Sequence, residues 1–364
     1  MRIALIITGL GVGGAEKVVT GLADAFSEKG HMVLLVYLTG NAKVMPSDSS
    51  VNVVGLGVKS IKSLLSAYFK LRRMLKIFKP DVVHSHMFHA NILARLLRLI
   101  TPIPRLITTA HNTNDGGCFR AILYRLTDPL STISTNVSDE AVAAYVKRHA
   151  VKPSRMITVH NGIPTSLFVR SQVSRKKIRK ELQLTEDSKM VIAVGSHTEQ
   201  KDYPNLFRAL TNINFKSLKL KVFIVGDGPL KSKLKDMIDD LNLSNSVELL
   251  GVRNDVPDLM SAADVFVLSS AYEGFPLVVG EAMSCECIVV ATDCGGVREF
   301  VGSTGYLVPP RQPSKLADAL VIALALSPPE STEIGHAARQ RIIEYYSHES
   351  SVDKWLSLYA NLRL

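Results

Sequence analysis

Cysteine is scarce in this chain: Cys118, Cys285, Cys287 and Cys294 are the full set in 364 residues. None forms a C-x-x-C pair and no histidine cluster completes a zinc site, which argues against a disulfide scaffold and a structural zinc fold. Cys285 and Cys287 stand two apart, a poor spacing for a metal clip, so reduced thiols in a cytosolic protein are expected. No apolar run reaches the ~20 residues needed to span a bilayer, and the stretch around residue 95 is cut by Arg95 and Arg98. Residues 1–10 offer one early charge, Arg2, and no small-residue cleavage pattern, so they read as a buried first strand and not as a signal peptide.

What is present is an ordinary globular composition, 46% apolar and 21% charged, so disorder is not the default reading. The net charge of +10 is unevenly placed. Residues 1–165 hold 20 Lys+Arg against 9 Asp+Glu, and the rest hold 23 against 24. A basic first half suggests an anionic partner. Length suits two domains. Short apolar runs alternate with helical patterns, the mark of α/β architecture with parallel sheets. Strands are expected at 3–8, 32–38, 51–56, 82–85, 105–110 and 132–137, with helices at 16–29, 61–78, 90–100 and 140–147. The pattern then restarts, with strands at 191–195, 221–225, 247–249, 265–268, 287–291 and 305–308. Helices fit at 204–211, 230–241, 256–262, 277–284 and 315–325, and the tail 334–364 is helical, with Trp355 packed. The polar segment 164–187, with Arg175, Lys176, Lys177, Arg179 and Lys180, reads as linker plus a first helix.

Two motifs carry chemistry. Gly9-Leu10-Gly11-Val12-Gly13-Gly14 follows the first strand and formally matches G-x-G-x-x-G, a loop that brings amides and a helix N-terminus to an anion. A dinucleotide site also wants an acid at the end of strand two. Here that strand ends Tyr37-Leu38-Thr39-Gly40-Asn41, which counts against an NAD-dependent oxidoreductase. The stronger constellation runs from Ser269 to Glu281 and sets Glu273 and Glu281 eight apart. On a single helix that spacing leaves the two about 80° apart, so one helix face does not explain it. Pro276 favours a helix starting just after it, with Glu273 in the loop before and Glu281 in the second turn. Both could then face a ligand lying over that N-terminus, where amides bind phosphate or sugar oxygens and carboxylates accept from hydroxyls. A solvated helix start is the alternative.

That segment, with Ala282-Met283 and the run Val289 to Gly296, closely resembles the retaining nucleotide-sugar glycosyltransferases of family 4, whose signature is Glu, seven residues, Glu. The likeness spans nearly the whole chain, through Gly13-Gly14-Ala15-Glu16, Asp81 to His86, Thr109-Ala110-His111-Asn112, Val159 to Ile163, Val225 to Pro229 and Leu250 to Val256. It implies two Rossmann-like domains facing each other across a cleft, the GT-B fold. The expected division is an acceptor-binding domain over 1–164, a nucleotide-sugar-binding domain over 165–345 and a C-terminal helix over 346–364 returning to the first domain. It implies a donor that is a nucleotide diphosphate sugar, UDP-linked first and GDP-mannose second, and a glycan or lipid-linked acceptor in cell-surface polysaccharide or lipopolysaccharide biosynthesis. Glu273, Lys201 and His111 are the implied catalytic residues, with Lys201 on the diphosphate. Gly13, Gly14, Ser196, Gly274, Phe275, Pro276, Leu277 and Glu281 would line the donor, and backbone near Val252 and Arg253 would hold the base. Retention without a nucleophile fits the family's front-side displacement, in which the leaving phosphate helps take the acceptor proton. No cofactor is implied, and no metal: the nearest acidic run, Asp236-Met237-Ile238-Asp239-Asp240, fits a solvated helix face.

The chain departs from the family pattern where Gly195-Ser196 replaces Gly-Arg, where Glu286 and Ile288 replace Gly and Pro, and where Pro164 replaces Asp. Glu286 would be strained if its turn needs positive φ. The acid-free run 59–79 interleaves Lys59, Lys62, Lys70, Arg72, Arg73, Lys76 and Lys79 with Leu64, Leu65, Tyr68, Phe69, Leu71, Leu75 and Phe78. Such a helix either lies on an anionic membrane surface or packs as core. The expected station is cytoplasmic, with a peripheral place on the inner face of the plasma membrane if the first reading holds. A nucleotide-sugar epimerase on the same fold is the alternative activity. No nucleic-acid module is recognisable, so nucleic acid is not an expected partner.

Overall fold

The computed structural model describes residues 1–361 apart from Val12, Asn114 and Asp115, with the side chains of Ile61 and Lys216 left aside. Val12 of the first glycine loop and residues 362–364 of the expected terminal helix lie outside the described residues. Two compact units are present, Met1–Gly162 with Glu349–Leu364, and Ile163–His348.

The first unit holds β1 (Arg2–Gly9), β2 (Met32–Thr39), β3 (Asn52–Gly55), β4 (Val82–His86), β5 (Arg105–Thr109), β6 (Ile133–Asn136) and β7 (Met156–Thr158). They form one sheet in the order β3-β2-β1-β4-β5-β6-β7, every pair parallel. β1 is apolar without a break because both of its faces are covered. Ile3, Leu5 and Ile7 point into a core shared with helix Gly14–Glu28 and with Trp355 and Tyr359 of the tail helix His348–Asn361. Ala4 and Ile6 point into the opposite core, with Leu71, Leu75, Leu93 and Leu97. Helix Ile61–Phe78 is started by a capping box between Ser60 and Ser63, and it divides its apolar residues between two environments. Leu71 and Leu75 are core, whereas Leu64, Leu65 and Phe69 are exposed. Helix Cys118–Thr127 and β7 have no counterpart in the sequence reading. Phe119, Ile122 and Leu126 of that helix face solvent while Tyr124 enters the core, so its apolar residues do not all fall on one buried stripe, and β7 is only three residues long.

The second unit repeats the plan with β8 (Lys189–Val194), β9 (Leu220–Val225), β10 (Val247–Gly251), β11 (Val265–Leu268), β12 (Ile288–Thr292) and β13 (Gly305–Val308). The order is β10-β9-β8-β11-β12-β13, again all parallel. In the polar segment read as linker plus a first helix, helix Gln172–Glu181 is anchored within this unit. Arg175 donates to Asp264 and to the Ala262 carbonyl, both at 2.6 Å. Helix Leu277–Ser284 packs closely at Gly280, where a Cβ would lie 2.8 Å from the Ile163 side chain and 2.9 Å from Phe300.

Glu286, just past that helix, does take a left-handed φ of 59°. Its N–H donates to the Met283 carbonyl and that of Cys287 to Ala282, both at 3.0 Å, closing the helix. A side chain in this region costs about 1 kcal/mol that glycine avoids. Glu286→Gly is therefore expected to stabilise the protein by about that much, net of the contact from Glu286 to the exposed His336. Urea unfolding checks it, and an unchanged or lower midpoint contradicts it.

Candidate active site

β8 and β11 are neighbours at the centre of the second sheet, and the chain leaves them in opposite directions, outward through β9 and β10 or through β12 and β13. Loops at the carboxyl ends of such a pair diverge and open a crevice. After β8 come Gly195, Ser196 and His197, then the short turn Glu199–Lys201; after β11 comes the loop that carries Glu273.

These two loops meet at one carboxylate. Lys201 Nζ donates to Glu273 Oε1 at 2.6 Å, Ser270 Oγ to the same oxygen at 2.7 Å, and Gln200 Nε2 to Oε2 at 2.9 Å. Backbone stitches the loops together, with Ala271 N–H on the Gln200 carbonyl at 2.8 Å and Ser269 Oγ on that of Lys201 at 2.9 Å. Glu273 is 7% exposed, and a buried carboxylate with a cation and two further donors is held in one orientation. The stem of Lys201 crosses Gly195, where a Cβ would stand 2.9 Å from Lys201 Cε. Tyr203 donates its hydroxyl to the Gly195 carbonyl at 3.1 Å. Burial, and then the nearby charge of Glu273, push the Tyr203 hydroxyl well above its usual range, so it stays a donor. A third loop, after β12, closes on the same place. Gly295 has φ 58°, and a Cβ there would fall 2.4 Å from the Glu273 carbonyl oxygen. Gly296 N–H donates to the Gly274 carbonyl at 2.8 Å, and Thr292 Oγ1 to that of Ser270 at 2.7 Å.

Helix Leu277–Ser284 begins after Pro276. Glu273 lies in the loop before it and Glu281 in its second turn, half-buried. The first amides of the helix have no intrahelical acceptor, which gives this end a partial positive charge. Phe275 is stacked on Phe300 with centroids 4.0 Å apart, which commits its ring to the core. At the end of β10, Val252 is exposed. The Arg253 guanidinium is forked onto Asp255 at 2.8 and 2.6 Å and onto Glu181 at 2.8 Å, leaving its backbone as the available part. Ser196 is exposed, with Oγ 3.3 Å from Thr198 Oγ1. Buried His197 follows it, held below its usual titration range by desolvation against the pull of Asp227.

The first unit carries the other sequence-derived candidates. Gly13 caps helix Gly14–Glu28, and a Cβ on it would strike Glu16 Oε2, while one on Gly14 would meet nothing within 4 Å. His111 follows β5, and its Nε2 lies 3.1 Å from His86 Nδ1. Sequence reasoning singled out His111 and missed His86, Gln200 and Ser270. The spacing of His84 and His86 on a strand, which places both rings on one face, was the available signal for the first. Of the partners of Glu273, Gln200 lies 73 residues away, where no local pattern displays it, while Ser270 stands three residues before it within the Ser269–Glu281 run. Cys285 and Cys287 are buried thiols, the latter pushed up to about 12 by desolvation. Among the described residues no group of three His, Cys, Asp or Glu side chains is placed to hold a metal.

Comparison with known proteins gives a consistent result. The pattern of glycosyl transferases group 1 matches residues 174–341, and that of glycosyltransferase family 4 matches residues 12–167, together nearly the whole chain. N-acetyl-alpha-D-glucosaminyl L-malate synthase of Bacillus anthracis is 25% identical over 96% of this chain and 94% of its own length. The UDP-Gal:alpha-D-GlcNAc-diphosphoundecaprenol alpha-1,3-galactosyltransferase of Escherichia coli is 28% identical over 84% of this chain and 80% of its own. Anabaena HepE, solved in complex with UDP, superposes with a TM-score of 0.89 at 20% identity, covering 99% of this chain and all of that one, a likeness that speaks for the fold. Two parallel sheets flanked by helices, a carboxylate pinned at a switch point and two family patterns laid end to end lead to one statement: the chain belongs to the group 1 glycosyltransferases and has the GT-B fold.

Proposed function

We propose that this transferase moves a hexose or N-acetylhexosamine, with retention, from a UDP-sugar to a glycan or lipid-linked acceptor in cell-surface polysaccharide biosynthesis. The observation that carries it is Glu273, fixed by Lys201, Gln200 and Ser270 at the switch point beside the start of helix Leu277–Ser284. In this reading Glu273 accepts from the donor sugar's hydroxyls and Glu281 from the ribose. Backbone of Gly274, Phe275, Pro276 and Leu277 contacts sugar and diphosphate, Ser196 borders the diphosphate, and backbone at Val252 and Arg253 holds the base. Lys201 and the helix amides meet the charge that develops on the departing diphosphate, with no metal or cofactor invoked. The first unit handles the acceptor, and Gly13, Gly14 and His111 are its proposed site residues. The E. coli relative supports the donor and acceptor classes, since its name states both a UDP-sugar and a diphosphoundecaprenol-linked acceptor.

Thermal unfolding with a panel of nucleotides and a transfer assay test this. UDP and one UDP-hexose are expected to raise the melting temperature, by the equivalent of about 2.7 kcal/mol at a hundredfold excess over Kd, while NAD gives no shift. A panel without any shift from a nucleotide sugar sinks the proposal. Interconversion of the UDP-sugar without acceptor would point to an epimerase instead.

Membrane association is proposed alongside. Helix Ile61–Phe78 exposes Leu64, Leu65 and Phe69 among Lys62, Lys70, Arg72, Arg73 and Lys76, with no acid in it. Apolar side chains ringed by cations suit an anionic bilayer surface. No described helix is long and apolar enough to cross a membrane. Flotation with anionic vesicles is expected to carry the protein at low salt and to lose it in a variant with Leu65 and Phe69 changed to Ser; equal flotation of that variant rejects this helix as the contact.

A further inference from the structure

We infer that the second unit holds a further saccharide site, a polar cavity for one neutral sugar ring, beside the turn that holds Glu273. Its walls come from the turn Glu199–Lys201, from helix Tyr203–Leu210, from the start of helix Pro313–Ala325 and from Ala271 in the loop after β11. The inference rests on the transferase reading only for why sugars are at hand; binding is measured without transfer.

The cavity measures about 290 Å³, near the lower end of small-molecule sites at roughly 300 Å³, so it suits one ring better than a chain. Asn205 is its decisive group. It is 2% exposed, and neither Nδ2 nor Oδ1 finds a partner among the described residues. A buried amide in that state has given up its hydrogen bonds to bulk water without replacement, and such groups call for a bound partner. Around it stand two guanidiniums, Arg208 and Arg311, and two carboxylates, Asp202 and Glu199. Arg208, Arg311 and Glu199 are exposed and Asp202 half-buried, and no ion pair joins them among the described residues. Burial pushes the Asp202 carboxyl above its ordinary range, against the Asn205 amide hydrogen and the two arginines, which pull it down. Asp202 and Arg311 also take left-handed φ of 44° and 59°, where glycine would be strained less.

This mixture selects the ligand. An anion would meet the guanidiniums but also Asp202, Glu199 and Asn205 Oδ1, all of them acceptors. A cation would meet both arginines. An apolar guest would leave the amide unsatisfied. A hydroxyl both donates and accepts, so a ring carrying several of them answers every group at once. The carboxylates and Asn205 Oδ1 take its hydrogens, and the guanidiniums and Asn205 Nδ2 donate to its oxygens.

The cavity adjoins the transfer machinery without being part of it. Ala271 N–H donates to the Gln200 carbonyl at 2.8 Å, and Gln200 and Lys201 turn their side chains to Glu273. A ring held by Glu199 and Asp202 therefore grips the residues on either side of Gln200 and Lys201.

The test titrates the whole protein, 15N-labelled and without nucleotide, with D-glucose, D-galactose, D-mannose and N-acetyl-D-glucosamine in turn. It follows the Asn205 side-chain amide, assigned through N205D. At least one of the four is expected to shift that pair of signals. R311G keeps the left-handed turn and removes one guanidinium. Its dissociation constant for that sugar is expected to rise about tenfold, the worth of one charged hydrogen bond, while its melting shift with UDP stays at the wild-type value. Silence of the Asn205 amide to all four sugars overturns the inference, whether or not inorganic phosphate or glycine, run as anion and zwitterion controls, moves it. Equal sugar affinity in R311G also overturns it, because the sugar then sits elsewhere. If N205D does not fold, saturation transfer to the sugar from wild type and from R311G reads the same difference. A wild-type protein that no nucleotide stabilises would remove the transferase reading and leave the sugar result standing.

Discussion

Replacing Glu273 by glutamine is expected to lower kcat/KM for sugar transfer about 10²- to 10³-fold, the range seen when one preorganised polar group is removed from a reacting centre. The substitution keeps the size but turns one accepting oxygen into a donor and removes the charge that engages Lys201 at 2.6 Å. The pair is nearly dry, with side chains 15% and 6% exposed. Breaking it leaves an ammonium without its counter-ion, so a stability cost of ~3 kcal/mol accompanies the loss of activity. The two effects separate by ligand. UDP alone still stabilises the variant, because the proposed contacts to the nucleotide lie elsewhere, while the extra stabilisation by the UDP-sugar over UDP disappears. Transfer at a near wild-type rate would end the role given to this carboxylate.

Gly295→Ala is expected to be nearly as damaging, though residue 295 itself offers a ligand no side chain. Its φ of 58° disfavours any Cβ, and the added methyl would sit 2.4 Å from the Glu273 carbonyl oxygen, 2.7 Å from its carbon and 2.8 Å from the Gly274 oxygen. All three are backbone atoms and cannot swing aside. Strain and overpacking together amount to about 2–4 kcal/mol, and the Glu273 loop must shift to relieve them, taking the carboxylate with it. Urea unfolding and the transfer assay read the two losses. Gly14→Ala is the contrast in stability, since a Cβ there meets nothing within 4 Å. A G295A protein with unchanged midpoint and full activity would show that the β12 loop does not hold the site.

Most of the layering was legible because both sheets are parallel. Strands covered on both faces announce themselves as unbroken apolar runs, as Ile3 to Ile7 does, and the helices between them carry amphipathic stripes. The legible part of the site was the part written locally, the Glu273–Glu281 spacing around Pro276 and the glycines beside it. Arg95 shows the limit. In sequence it interrupts an apolar stretch; in the fold it is buried, pairs with Asp128 at 3.4 Å and donates to Thr108 and Ser134 at 2.8 Å each. Those partners lie 13 to 39 residues away, so a core role could not be told from a surface one. Helix Ile61–Phe78 posed the opposite difficulty. One sequence served two environments, and only the fold could say that Leu71 faces the core while Leu65 does not.

The tail helix sets a timetable for synthesis. Val352, Trp355 and Tyr359 fill the core beneath β1 and helix Gly14–Glu28, yet they leave the ribosome only after all of the second unit. At about 5–20 residues per second, the sheet of the first unit waits on the order of ten seconds or more with that cavity open, so its core closes only after the second unit has been made. Trp355 is the sole indole in the chain, which makes its fluorescence a native clock for that final closure.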